Sequence, residues 1–326
     1  MLHVTPSRNP SPRGRDLFLL CDIFLLHLHM RYSICLSYDG ALFCGWQIQP
    51  SSPSVQAALE QALGRLLGGA VAVTGAGRTD TAVNAVNYIA HFDYDGALPY
   101  EASDFIYKLN AILPRSVVVH SVTLVTDDFH ARFDARRREY TYFIHRHKDP
   151  FVAPWSWQCG YPVLDFEAMN KACQYLLGTH DFSCFEKTGT DNKTSICTVF
   201  DAFWAPYTPS HLQVMGGEGI VSPTSGHPRP DKREGPAAEG CGRGLSEAKA
   251  VGGTIPSPLV SDYWYFRIAA DRFLRNMVRA TVGSLIEVGR GKHSPEWIAE
   301  LIATGTRGDA GESVPGNALF LNKVLY

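Results

Sequence analysis

Apolar and polar positions alternate along residues 31–38, and the run ends at Asp39-Gly40, so the spacing predicts a half-buried strand closed by a tight turn. The period then changes. From Ser54 the apolar residues Val55, Ala58, Leu59, Ala62, Leu63, Leu66 and Leu67 recur at helical spacing. A serine cap in front and Gly68 behind bound that helix at 54–68. Strand-like runs at 71–74 and 87–92 enclose the loop Gly75-Ala76-Gly77-Arg78-Thr79-Asp80. A helix over 103–113 and a strand over 117–124 follow. Beyond them the pattern predicts a strand at 138–144, a helix at 165–177 closed by Gly178, a strand at 263–268 and a helix at 273–288 stopping at Gly289. Strands and helices interleave in the manner of a mixed α/β sheet.

Two α/β units are expected, residues 30–134 and 135–326. Within the second, residues 215–258 carry dense Gly, Pro and Ser with both charge signs and few large apolar side chains, which predicts a disordered insertion. Residues 1–29 differ from the remainder: prolines and arginines precede a greasy run, 17–26, that is broken by Asp22 and followed by no small-residue cleavage site. They read as a disordered upstream extension, with Met30 as the true start. No other stretch is apolar for long enough to span a bilayer.

Composition narrows the class. The chain has 326 residues, 45% hydrophobic and 19% charged, and its formal net charge of −2 gives no overall attraction to nucleic acid. Distribution says more than the sum. Arg132, Arg136, Arg137 and Arg138 run into His145, Arg146, His147 and Lys148, and a second group holds Arg272, Arg275, Arg279, Arg290 and Lys292; such clusters can follow phosphates or simply face solvent. The 8 cysteines form no Cys-x-x-Cys pair, so a zinc ribbon is not indicated and a reducing cytoplasm is the simpler setting.

The chemistry sits in the glycine loop. Asp80 would stand between two strand ends, where a sheet can hold a carboxylate exposed and aimed. A dinucleotide-binding turn would need its third glycine at the position of Asp80, and an acid there would repel a pyrophosphate. A glycosidase would need a second acid, and none stands at a telling spacing.

Several blocks in order resemble the TruA-type tRNA pseudouridine synthases: Gly77-Arg78-Thr79-Asp80, Tyr38-Asp39-Gly40 with Gly45-Trp46-Gln47, and Ser54-Val55-Gln56. Further blocks are Asp128-Phe129-His130-Ala131-Arg132-Phe133 with Arg138-Glu139-Tyr140-Thr141-Tyr142, Leu176-Leu177-Gly178-Thr179-His180-Asp181-Phe182, Arg272-Phe273-Leu274-Arg275-Asn276-Met277-Val278-Arg279, and Pro315-Gly316-Asn317-Ala318-Leu319-Phe320-Leu321. The likeness runs from Met30 to Tyr326 apart from the insertion. It implies a pseudouridine synthase fold in which two α/β subdomains flank an RNA-binding cleft. Asp80 would be the nucleophile, Tyr140 the base-stacking tyrosine and Arg279 the cation paired with the aspartate. Arg78, Thr79, Arg132, Arg138, Phe273 and Arg275 would meet the substrate.

The implied reaction breaks the bond from uracil N1 to ribose C1′, turns the base and rejoins it through C5. A carboxylate can attack C1′ or assist glycal formation, and an aromatic face can hold the loosened ring. Neither route requires a metal or cofactor. The resemblance further implies a homodimer acting on uridines 38, 39 and 40 of the tRNA anticodon stem-loop. Two residues depart from the family: Ala82 stands where a glycine is usual and Asn84 where a histidine is. If that glycine has φ > 0, alanine costs about 1 kcal/mol, and Asn84 lacks a ring that could touch RNA or orient the loop. An RNA-binding homologue without turnover and a dinucleotide-dependent oxidoreductase are the alternatives.

Overall fold

A computed structural model describes residues 29–189, 193–212 and 262–326. The expectations for residues 1–28 and for 215–258 lie outside these. The chain order is β1 (His29–Tyr38), α1 (Val55–Leu67), β2 (Val73–Gly75), β3 (Asn84–Asp95), α2 (Ala102–Ile112), β4 (Val117–Val125), β5 (Arg137–His145) and β6 (Trp157–Gln158). It continues with α3 (Phe166–Cys173), β7 (Gly178–Asp181), β8 (Ile196–Pro206), β9 (Tyr263–Ala270), α4 (Met277–Gly289), α5 (Trp297–Thr304) and β10 (Leu319–Leu325). A mixed α/β architecture is therefore what the alternating periods produce.

The strands form one sheet in the order β4-β1-β3-β10-β5-β9-β8-β7, with β2 pairing β3 and β6 pairing β5. Chain order and sheet order part company at β10. It lies parallel to β3 and antiparallel to β5, and so fills the middle of the sheet between the two stretches expected as subdomains. Directly opposed residues share a face, so the register stacks Leu36 beside Tyr88 in one half and Ile268, Tyr140 and Leu321 side by side in the other. These side chains belong to one hydrophobic cluster with Leu59 and Leu63 of α1, Met169 of α3 and Leu285 of α4. Among the described residues no helix is long and apolar enough to cross a membrane.

Three element boundaries differ from the sequence pattern for local reasons. β1 starts at His29, one residue before Met30, because His29 still pairs with Asp95. The helix expected at 165–177 is capped by the Asp165 side chain but gives way after Cys173 to a 3-10 turn, Gln174–Leu176. Most consequential is α4, expected from Phe273. Asn276 takes the left-handed conformation, φ 67°, so the helix begins only at Met277, and Arg272 and Arg275 sit in the preceding loop. Apolar periodicity runs through this break and does not reveal it; asparagine is one of the few non-glycine residues that tolerates it.

Candidate active site

The loop from Ala76 to Val83 joins β2 to β3 over a floor of three buried aromatics. Tyr88 donates its phenol to the Gly77 carbonyl and accepts from the Gly77 N–H at 3.3 Å. Its ring stacks on Trp46 with centroids 4.2 Å apart, and the Tyr38 phenol and Thr79 Oγ1 share a hydrogen bond of 2.9 Å. Backbone seals the sides. The Trp46 N–H donates to the Thr79 carbonyl at 3.2 Å and the Ala82 N–H to the Phe43 carbonyl at 3.3 Å.

Two glycines permit this closeness. A Cβ on Gly45, whose φ is +97°, would stand 2.3 Å from the Thr79 oxygen, and one on Gly316 would stand 2.4 Å from the Thr81 oxygen. Real side chains never approach backbone so nearly, so either substitution would push the loop.

Ala82 does adopt a positive φ, +63°, as the expectation for a glycine position required. Asn84 is 2% exposed: it accepts from the Gly40 N–H at 2.8 Å and donates to the Asn317 carbonyl at 2.7 Å. Its amide ties the loop's far end to two neighbouring turns, so at this position the side chain orients the loop from within.

Asp80 emerges from this cradle with its side chain 26% exposed, and Arg279 Nη1 reaches its Oδ2 at 3.5 Å. Arg279 is itself aimed. Its Nε donates to the Val314 carbonyl at 2.7 Å, and the Val314 N–H returns to the Arg279 carbonyl at 3.3 Å. The segment carrying Val314 is fastened to α4 by Ser284 Oγ, which accepts from the Gly311 N–H at 2.9 Å, and by Asn276, which donates to Ser313 Oγ at 2.6 Å. Nothing in the hydrophobic pattern marks this strap.

Tyr140 projects from β5 onto the same site. It is 8% exposed, and its ring meets Phe273 edge to face at 5.0 Å. Burial pushes the phenol up to about 12; the Arg138 charge opposes the rise and the nearby Asp80 charge adds to it. The structure thus brings Asp80, Tyr140, Arg279 and Phe273 together.

The other expected contacts divide by exposure. Arg78 is exposed and donates to Gln47 Oε1 at 3.3 Å, while Thr79 is buried on Tyr38. Arg132 is exposed, its guanidinium 5.7 Å from the centre of the exposed Phe133 ring, and Arg275 is exposed as well. Arg138 differs from the expectation of a substrate contact. It is 8% exposed, and its N–H groups donate to the carbonyls of Ala76, Arg132, Ala135 and Asp271.

Pleating explains why one run of arginines serves several ends. Arg137 and Glu139 face away from Tyr140, where Arg137 donates to Glu139 at 2.8 Å and Arg267 does so at 2.9 Å. Arg146 and Arg290 are likewise engaged, with the carbonyls of Cys159 and Tyr161 and with Glu287 respectively. A cavity of about 400 Å³ lined by Phe143, Phe151, Trp155, Tyr207 and His211 opens on that other face and holds none of the loop residues.

Comparison with known proteins shows the family. Residues 172–326 match the family model described as tRNA pseudouridine synthase. The tRNA pseudouridine synthase A of Bacteroides fragilis is 39% identical, the alignment covering 91% of this chain and 96% of that one. The proteins of the same name from Bacteroides thetaiotaomicron and Bacillus licheniformis are 40% and 34% identical, covering 91% of this chain in both cases and 90% and 99% of theirs. With relatives this similar along nearly the whole length, the chain belongs to the tRNA pseudouridine synthase A family.

Proposed function

We propose that this isomerase of tRNA uridine uses Asp80 as its nucleophile and acts on positions 38, 39 and 40 of the anticodon stem-loop. The observation that carries the reading is the contact of Asp80 with Arg279 at 3.5 Å beside the buried ring of Tyr140, at a point still open to solvent. Chemistry gives each residue its part. An uncoupled uridine leaves its stack and enters between the loop and β5. The Asp80 carboxylate attacks C1′ or assists loss of the base, and the Arg279 guanidinium, 3.5 Å away, orients it. Tyr140 and Phe273 support the detached ring while C5 turns towards C1′. A phenol held near 12 stays protonated at neutral pH, so Tyr140 can donate a hydrogen bond to a uracil carbonyl throughout. As C5 bonds to C1′, the bond from C1′ to Asp80, where it formed, breaks and frees the carboxylate; C5 then gives its proton to solvent and N1 takes one up.

Arg78, Arg132 and Arg275 form the exposed cationic rim that would meet phosphates. Two subdomains flanking the cleft, a homodimer and a cytoplasmic setting belong to the same reading. Tritium release from C5-labelled uridine in an anticodon stem-loop tests it: the natural chain releases label and Asp80→Ala does not. A second reading draws on the left-handed Ala82, whose strain could accompany lost turnover. RNA binding without tritium release by the natural chain would favour it.

A further inference from the structure

Arg138 carries a charge in the interior, and carbonyl dipoles surround its guanidinium. Nε donates to the Ala76 oxygen at 3.3 Å, Nη1 to those of Ala135 at 3.1 Å and Asp271 at 2.6 Å, and Nη2 to those of Ala76 at 2.9 Å and Arg132 at 2.6 Å. A guanidinium has five N–H groups, so these five bonds use its full donor capacity and leave nothing for a ligand. The four carbonyls come from three separate segments. Ala76 opens the loop of Asp80, Arg132 and Ala135 bound the turn that displays Arg132 and Phe133, and Asp271 starts the loop that carries Phe273 and Arg275. Each segment delivers one wall of the candidate site.

The planar fork suits this task. Its N–H groups diverge in fixed directions, whereas an ammonium offers three donors from a single rotating point and cannot span all three segments. The cation also lies close enough to Tyr140 for its charge to act on the phenol. We propose that Arg138 is a positioning residue that sets the spacing of the three loops around Asp80, and so governs turnover without touching RNA. The kinetic part of this inference rests on the isomerase reading given above.

Arg138→Lys keeps the charge and removes the fork, so it separates geometry from electrostatics. The expected result is a kcat lower by about 10- to 100-fold with KM changed by less than about threefold, since small misplacement of reacting groups penalises the chemical step. Hydrogen exchange on the unliganded protein supplies an independent measure. Amides in 76–80, 132–136 and 271–276 should exchange about tenfold faster in the variant, while those of α1 and α2 keep their rates. Arg138→Met should lower kcat at least as far; if it fails to fold, the lysine variant decides alone.

The proposal is overturned if Arg138→Lys retains kcat within about twofold. It is equally overturned if KM rises with kcat intact, which would mark an RNA contact, or if exchange accelerates evenly through the protein, which would mark a purely structural part. Should the natural chain release no tritium, the isomerase reading fails, and unchanged exchange in the three segments would sink the positioning role separately.

Discussion

The floor beneath Asp80 and the rim around it are built on opposite principles. Below, Tyr38, Trp46 and Tyr88 are at most 4% exposed, and the two phenols meet Thr79 and the Gly77 backbone. Above, Arg132, Phe133 and Arg275 stand in solvent, Phe133 with 74% of its surface accessible. A group that must strike one carbon needs its position fixed before substrate arrives, because ordering it during reaction would raise the barrier. Groups that meet a flexible polyanion gain from the reverse: exposed cations adapt, and they draw affinity from counterion release. Arg138 joins the two regions, since one fork holds both Ala76 and Arg132.

The sharpest break in that contrast comes from Asp80→Asn, which leaves floor and rim intact; kcat measured by tritium release should fall by about 10⁴-fold or more, with RNA affinity by filter binding nearly unchanged. Next is Tyr140→Phe. The ring remains against Phe273 and only the hydroxyl goes, so a loss of about 100-fold would assign the phenol a hydrogen-bonding part, and a loss under threefold would leave stacking alone. Because burial lifts this phenol to about 12, the natural chain should show no alkaline decline in kcat from Tyr140 near pH 10.

A pH experiment probes the joint between the regions. His91 Nδ1 accepts from the Ala131 N–H at 3.1 Å, in the turn that displays Arg132, and burial lowers its pKa from 6.5 to about 4. The folded protein therefore resists a proton that the unfolded chain takes up. The stability held by neutral His91 is complete above pH 6.5 and is lost as pH falls towards 4. Urea midpoints should show a decline on the order of 2 kcal/mol across that window, flattened in His91→Asn.

Smaller effects belong to the rim. Arg275→Ala should raise KM about threefold, leave kcat unchanged and reduce the salt dependence of binding by about one phosphate contact. Smallest is Ala82→Gly: glycine relieves the positive φ at the expense of a freer unfolded chain, so thermal denaturation should show a gain of about 0.5–1 kcal/mol.

Most of the floor's framework was legible because it follows from short-range rules. The Ser54 cap and left-handed Gly68 bound α1 as the pattern required, and β1 and β4 match their runs almost to the residue. That Asp80, Tyr140 and Arg279 would come together was expected only from ordered family blocks, since they come from the β2–β3 loop, β5 and α4 and no single period links them. What stayed hidden depends on tertiary placement. The left-handed Asn276 interrupts a helix pattern without altering it, and the hold of Val314 on Arg279 is a main-chain contact that any side chain could provide. Arg138 shows the limit best: in sequence it is one arginine among several, and only the pleat turns it inward while Arg137 turns out.

The placement of β10 also bears on how the protein is made. A ribosome releases strands in chain order, so β3 and β5 emerge long before residues 319–325 arrive to zip them together. Until then the nascent sheet has two raw inner borders, and Asn84 waits for a carbonyl 233 positions downstream. Assembly of the candidate site is thus deferred to a late moment of synthesis, when the last strand closes the gap between the two halves of the sheet.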